Sequence, residues 1–317
     1  MPGFATHYLF GVDAYKKITS RKISVRIARN PHAYALGLQG PDIFFYYLPS
    51  YLLHKENIGS LAQSSKTGEF FSHLLESRLL FTANSKDLAI ADAYILGFMG
   101  HYSLDCTAHP YVYAFTGYDP KHPKSNLEYF GKHAYFEVEL DNTLLYRKKH
   151  IIPSRFKQSR TIALSPRQRR VIAKMLNYTY RNTYPGLFSN DRIMRNAPYW
   201  MLLGLHFIND PSGQKKVLLR WFEQKLIHHA FISPMLPSDR YHFIPDPLNL
   251  HHKKWTHPWT GESFQNGFMD LYKKALKLYV GLISQYEELL QQGFSEEGRK
   301  NLCLSYGNRS FLSGEPL

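Results

Sequence analysis

Cysteine is scarce: only Cys106 and Cys303 occur in 317 residues. Two cysteines build no disulfide framework, so a reducing compartment is the simpler expectation. Acidic residues are also in deficit, with 25 Asp and Glu against 39 Lys and Arg, a formal net charge of +14. Such an excess attracts phosphates, nucleic acid or an anionic membrane surface, and it bears on encounter rather than on fold. The cations are spread along the chain, with short clusters at Arg147-Lys148-Lys149 and Arg167-Gln168-Arg169-Arg170 and no long basic arm. No uninterrupted apolar run approaches the roughly 18 residues of a membrane span, so no transmembrane segment is expected. The start, Met1-Pro2-Gly3-Phe4, lacks a basic region followed by an apolar stretch, so no signal peptide is expected and a cytoplasmic location is. Alternating β-branched runs are nearly absent, which argues against sheet. The chain also has no P-loop, dinucleotide fingerprint, zinc-finger spacing or Gly-x-Ser-x-Gly elbow.

Aromatic and apolar residues are abundant. Hydrophobic residues make up 44% and aromatics 15%, with 23 Tyr and 21 Phe, enough to build a large core without staples. Helical periodicity dominates. Phe70, Phe71, Leu74, Leu75, Leu79 and Leu80 recur at three- and four-residue steps, as do Leu271, Ala275, Leu278, Tyr279 and Ile283. Further helices are expected near 5–18, 24–37, 86–109, 126–145, 166–181, 190–208, 214–231 and 264–291. Asn266-Gly267 falls inside this last pattern. Breakers mark loops at 117–125, at 233–263 and after Phe294. The expected fold class is all-α, a multi-helix bundle. Residues 1–210 would form its main helical domain, 211–300 a C-terminal helical extension packed on it, and 301–317 a tail.

Chemistry-bearing residues gather in a few segments. In Gly100-His101-Tyr102-Ser103-Leu104-Asp105-Cys106-Thr107-Ala108-His109-Pro110, the residues His101, Asp105 and His109 stand at i, i+4 and i+8. That spacing drifts by about 40° per step, so the three side chains leave nearly one face of a helix. Pro110 lacks a backbone donor and is expected to loosen or end the helix there. His133 and Glu137 repeat the i, i+4 arrangement, with Asp141 one turn further on. Zinc accepts such a mixture of imidazole and carboxylate donors. Gln39-Gly40-Pro41-Asp42 reads as a turn that places Asp42 where a helix would begin, as an N-cap or as a ligand. A lone His-x-x-x-Glu is usually an exposed helix pair. Two histidine–carboxylate sets in apolar sequence are better explained by a shared cation, because buried unpaired imidazoles and carboxylates are costly. The pairs His228-His229 and His251-His252 point about 100° apart on a helix and are expected to be solvated or packing residues. Trp255-Thr256-His257-Pro258-Trp259 is expected to anchor its loop rather than to rim a site.

In chain order, Thr6-His7, Gln39-Gly40-Pro41-Asp42, Lys66-Thr67-Gly68-Glu69-Phe70-Phe71, Gly100-His101-Tyr102-x-x-Asp105 with His109-Pro110, and His133-x-x-x-Glu137 resemble the zinc-dependent phospholipase C family, particularly its cytoplasmic bacterial branch. The resemblance covers roughly the first 145 residues. It implies an all-helical scaffold, shared with single-strand-specific zinc nucleases, and two or three Zn2+ ions between helices. By position, His101 and Asp42 would resemble ligands of one zinc, Asp105 would bridge to a second held also by His7, and His109, His133 and Glu137 would hold the third. Gln63 stands where the family usually offers a histidine, with His54 and His73 nearby as substitutes. The implied reaction is phosphodiester hydrolysis by a zinc-activated water, with Asp42 or Glu137 orienting or deprotonating it. The implied substrate is a phospholipid head group, with peripheral contact to an anionic membrane surface. A nuclease or small-molecule phosphoesterase is the neighbouring alternative, and a non-catalytic zinc-binding scaffold is the alternative from another class.

Overall fold

The structure is a computed structural model, and it describes residues 3–49, 57–121, 127–187, 189–239 and 244–317. His54 lies outside them. The fold is all-α.

Helices α1 (Phe4–Tyr15), α2 (Arg21–Arg29) and α3 (Pro31–Gly37) open the chain. The periodicity over 24–37 predicts one helix, and the structure divides it at Asn30-Pro31. Pro31 has no N–H to continue α2, and its fixed φ suits the first turn of α3. A 3-10 turn, Gly40–Phe44, carries Asp42. Then follow α4 (Ile58–Ser64), α5 (Thr67–Ser77) and the long α6 (Ser85–Phe115).

Helix α6 is the axis of the molecule. Asn84 starts it, its side chain accepting from the N–H groups of Lys86 and Asp87. Every residue from Ile90 through Asp105 is buried, so this stretch has no solvent face and reads as apolar all round. Pro110 was expected to loosen or end it, but the helix runs on to Phe115. The missing N–H costs one hydrogen bond, and the fully buried side chains of Tyr111 and Val112 hold the next turn in place. Helix α3 crosses α6 at a backbone contact: a Cβ on Gly97 would lie 2.2 Å from the Tyr34 carbonyl, so only glycine fits.

After α6 come α7 (Leu127–Lys149), the short α8 (Gln158–Thr161), α9 (Pro166–Thr183), α10 (Asp191–Ile208), α11 (Gln214–Leu226), α12 (Phe268–Gln291) and α13 (Glu296–Tyr306). A capping box between Ser165 and Gln168 starts α9. Helices α3, α9 and α12 pack against α6, while α1 packs against both α6 and α7. The Tyr279 hydroxyl of α12 donates to the Leu96 carbonyl at 2.7 Å and lies 3.0 Å from the Tyr34 hydroxyl, tying α12 and α3 to α6. Asp92, fully buried on α6, accepts from Arg26, Arg78 and the Tyr286 hydroxyl, so its own buried charge is paired.

Two stretches expected as loops hold more order. Within 233–263 a two-residue strand, Trp255–Thr256, pairs antiparallel with Ser263–Phe264, and Trp255 donates its indole N–H to the Asn266 carbonyl. Gly267 lies before the first turn of α12 rather than inside it. After Phe294 the chain forms α13, whose N-cap Ser295 accepts from the Gly298 N–H. Its Tyr306 ring stacks on Phe71 and on Tyr102, at 3.8 and 3.7 Å between centroids. Beyond it, Phe311 is buried against Phe98 and Tyr102. Aromatic payload, rather than periodicity, decides that this segment is core.

Candidate metal centre

The i, i+4, i+8 stripe of α6 puts His101, Asp105 and His109 into the interior, all within 1% of complete burial. Along the helix each step rises about 6 Å, so the stripe serves two neighbouring positions rather than one. The structure divides it accordingly.

The first group joins His7 of α1 with His101 and Asp105; one donor atom from each lies within 4.8 Å of the others. Asp105 sits between the imidazoles, 3.1 Å from His7 Nε2 through one oxygen and 3.1 Å from His101 Nε2 through the other. The two rings stack at 4.4 Å. Asp42 stands beside this trio, 3.6 Å from His101 Nε2. The second group joins His109 with His133 and Glu137 of α7. Here His109 Nε2 faces His133 Nε2 at 3.2 Å, and His133 Nε2 lies 2.8 Å from Glu137. The expected ligands therefore converge, and His109 parts from its α6 neighbours to join α7.

The supporting partners were not legible in the motifs. His101 Nδ1 donates to the Leu38 carbonyl and His109 Nδ1 to the Phe311 carbonyl, both at 3.1 Å. A ring that donates through Nδ1 presents Nε2 as a lone pair, the form a cation needs. His133 Nδ1 meets the Tyr129 hydroxyl at 3.1 Å, one helical turn earlier on α7. Asp141, on the same helix, caps the start of α1. Its carboxylate accepts the Ala5 and Thr6 N–H groups and the Thr6 hydroxyl, which fixes the helix that carries His7. Gly40 has φ +50, and a Cβ there would lie 2.3 Å from the His101 ring, so the turn leading to Asp42 needs glycine on both counts. Gln63 is buried and donates its amide to Asp42 Oδ1 at 2.8 Å, while its carbonyl accepts the Phe311 N–H.

The electrostatics suit cation binding. Burial lowers the His7 pKa to about 4, and it holds His109 and His133 below the usual range, which favours the neutral ring that a cation requires. His101 is raised: burial opposes its charge, and the carboxylates of Asp105 and Asp42 outweigh it. Asp105 is held well below the ordinary range against its burial by His101 and His7, whereas burial drives Asp42 well above it. His7 Nε2, His101 Nε2 and both Asp105 oxygens are fully buried without a well-formed hydrogen bond. Such orphaned donors and acceptors are costly unless something shared satisfies them. A divalent cation fits this donor set.

The other sequence candidates lie elsewhere. His73 Nδ1 pairs with the Thr183 hydroxyl at 3.0 Å. His228, His251 and His252 are exposed, and none belongs to a ligand group among the described residues. Trp255 is buried and anchors its loop. Trp259, in contrast, packs edge-on against Tyr113 at 5.0 Å, and Tyr113 lies 4.8 Å from His133. With Tyr118 and Tyr129 these rings form an aromatic panel beside the second group.

A family model described as zinc dependent phospholipase C matches residues 6–190, a span holding every candidate ligand named above. Neither the curated proteins nor the solved structures yielded a match.

Proposed function

The chain belongs to the zinc-dependent phospholipase C family, since the match over residues 6–190 spans more than half of it, and on that premise we propose that it hydrolyses a phospholipid head-group phosphodiester at two or three zinc ions. One observation carries the reading: the buried imidazoles of His7 on α1 and His101 on α6 and both oxygens of Asp105 on α6 face one another with no well-formed hydrogen bond to satisfy them. His7, His101 and Asp105 would hold one ion, with Asp42 at its edge, and His109, His133 and Glu137 another. Bound there, zinc supplies Lewis acidity toward a phosphoryl oxygen and toward water. Each group offers two imidazoles and one carboxylate, a donor number that would leave room for water or substrate on a bound zinc, whereas a purely structural site tends to be closed by four protein donors.

The chain's own groups do the rest. Asp42, which accepts the Gln63 amide through Oδ1, would be the base that takes a proton from the attacking water. Glu137, itself fixed by His133, would orient the water in the second group. The surplus of cations draws an anionic ester toward the protein. The panel of Tyr113, Tyr118, Tyr129 and Trp259 offers ring faces to the remainder of the substrate. A panel of that kind also suits stacked bases, so single-stranded nucleic acid is the second reading.

Elemental analysis of carefully purified protein is expected to find zinc above one equivalent, and a metal-free preparation ends the proposal. Turnover of a chromogenic phosphocholine ester, compared with single-stranded DNA and a phosphomonoester, separates the substrate classes. Faster hydrolysis of the DNA would replace the phospholipid reading by the nuclease one.

A further inference from the structure

Helix α11 is built inside out. The side chains it turns toward the protein are Lys216 and Glu223, spaced i, i+7 and both buried, with the half-buried Leu219 between them. Lys216 donates to the Leu236 carbonyl at 3.0 Å, and Glu223 accepts from the N–H groups of Ile232 and Ser233 and from the Ser233 hydroxyl. Its apolar residues face outward instead: Val217, Leu218, Trp221, Phe222 and Leu226 are each 46–76% exposed. An ordinary amphipathic surface helix has the reverse polarity. On α10 the i, i+4, i+8 row Tyr199, Leu203 and Phe207 is likewise exposed. Lys215 joins the two rows, since its ammonium donates to the Phe207 carbonyl at 2.8 Å and lies 5.7 Å from the centre of that ring.

We propose that the outward face of α10 and α11 docks on an anionic lipid bilayer, seating α11 in the plane of the interface. Charge selects the occupant. Lys215, Arg220 and Lys225 are exposed along α11, and its single acidic residue, Glu223, is turned inward and engaged. An apolar stripe carrying Trp and Phe and flanked by cations alone matches the region between acyl chains and anionic head groups. The Lys225 ammonium lies 4.6 Å from the Trp221 ring centre, an arrangement that lets the lysine stem run along the stripe while its charge reaches head groups.

The position of the face fits an interfacial enzyme. A Cβ on Gly204 of α10 would lie 2.5 Å from the Tyr46 ring, which follows Asp42 by one turn. The Ala230 carbonyl, just beyond α11, abuts Gly131, which lies close to His133 on α7. The elements bearing the docking face thus brace the elements bearing both ligand groups. As the route to a lipid substrate, the inference rests on the phospholipid reading above; as a binding event it can be measured without turnover.

The full chain is sedimented with vesicles of phosphatidylglycerol and phosphatidylcholine in equal parts, and with vesicles of phosphatidylcholine alone. Binding to the anionic vesicles is expected to exceed that to the neutral ones by about tenfold and to weaken with salt. The double variants Trp221→Ala/Phe222→Ala and Lys215→Gln/Lys225→Gln, both at exposed positions, are expected to keep their helical content and their turnover of a soluble ester while losing about tenfold in vesicle binding. Unchanged vesicle binding by the aromatic variant overturns the proposal. So does a wild-type chain that ignores both vesicles and is dimeric, with the aromatic variant monomeric, because the face would then join two copies. Vesicle binding without hydrolysis of any ester sinks the catalytic reading alone, and hydrolysis of the soluble ester without vesicle binding sinks this one alone.

Discussion

Asp105 has both oxygens directed at imidazoles, so its charge is shared by His7 and His101 more fully than any other carboxylate's at the site. Replacement by Asn keeps the shape and removes the charge. Asp105→Asn is expected to lose bound zinc together with turnover, and unchanged metal content in elemental analysis would reject a bridging role. Gln63 offers the opposite experiment. It is buried and already in contact with Asp42, so Gln63→His adds an imidazole at the edge of the first group. The variant is expected to retain zinc against a chelator about tenfold longer than the parent chain. Gly40→Ala should act through His101 alone. Its strained φ and the 2.3 Å approach to the ring would force the imidazole aside, and metal titration is expected to show the first position weakened and the second intact.

Asp141 works at the scale of the element. It satisfies two N–H groups at the open end of α1 and holds the Thr6 hydroxyl besides. Asp141→Ala is expected to cost about 0.5–2 kcal/mol in a denaturant titration, with weaker retention of the metal that His7 helps to hold. Asp13 joins three helices, because the Lys148 ammonium of α7 and the Tyr272 hydroxyl of α12 both donate to it from α1. Burial opposes its charge, yet these partners hold its carboxyl below the usual value. A carboxyl whose pKa falls on folding adds stability above its unfolded pKa and loses it as pH drops through the folded value. Melting temperature should therefore fall less on acidification in Asp13→Asn than in the parent chain. The elements themselves were largely written in the sequence. Three- and four-residue spacing located α5, α6, α7, α9, α10 and α12, because each presents an apolar stripe or is buried outright. Helix α13 was missed since its buried row, Gly298, Leu302 and Tyr306, begins with a glycine and offers only two large apolar residues for a pattern to show. The short strand pair was missed because two residues per strand carry no alternation.

Across the whole molecule, the candidate donor types were legible because helical spacing is local, while their grouping came from the family resemblance and not from the spacing. Nothing in the spacing of His101, Asp105 and His109 tells that the last belongs with α7. That outcome depends on how α1 and α7 pack on either side of α6. The Phe311 carbonyl was beyond reach for the same reason, since it is a backbone group brought from the far end of the sequence to His109. Phe311 also donates its N–H to the Gln63 carbonyl, so one residue braces both ligand groups. Phe311→Ala removes a buried aromatic, for which a loss of about 3–5 kcal/mol is expected in chemical denaturation. It should also release zinc from the second position faster than from the first.

The bond between Phe311 and His109 has a consequence for biosynthesis. A ribosome that has finished Glu137 has already made every donor assigned here, yet the carbonyl that aims His109 has still to be polymerised. Until then the early histidines are free to capture whatever cation the cell offers, in arrangements other than the mature one. A metal held by His109 would therefore find its site complete only after the distal aromatic segment has closed over the helices that preceded it.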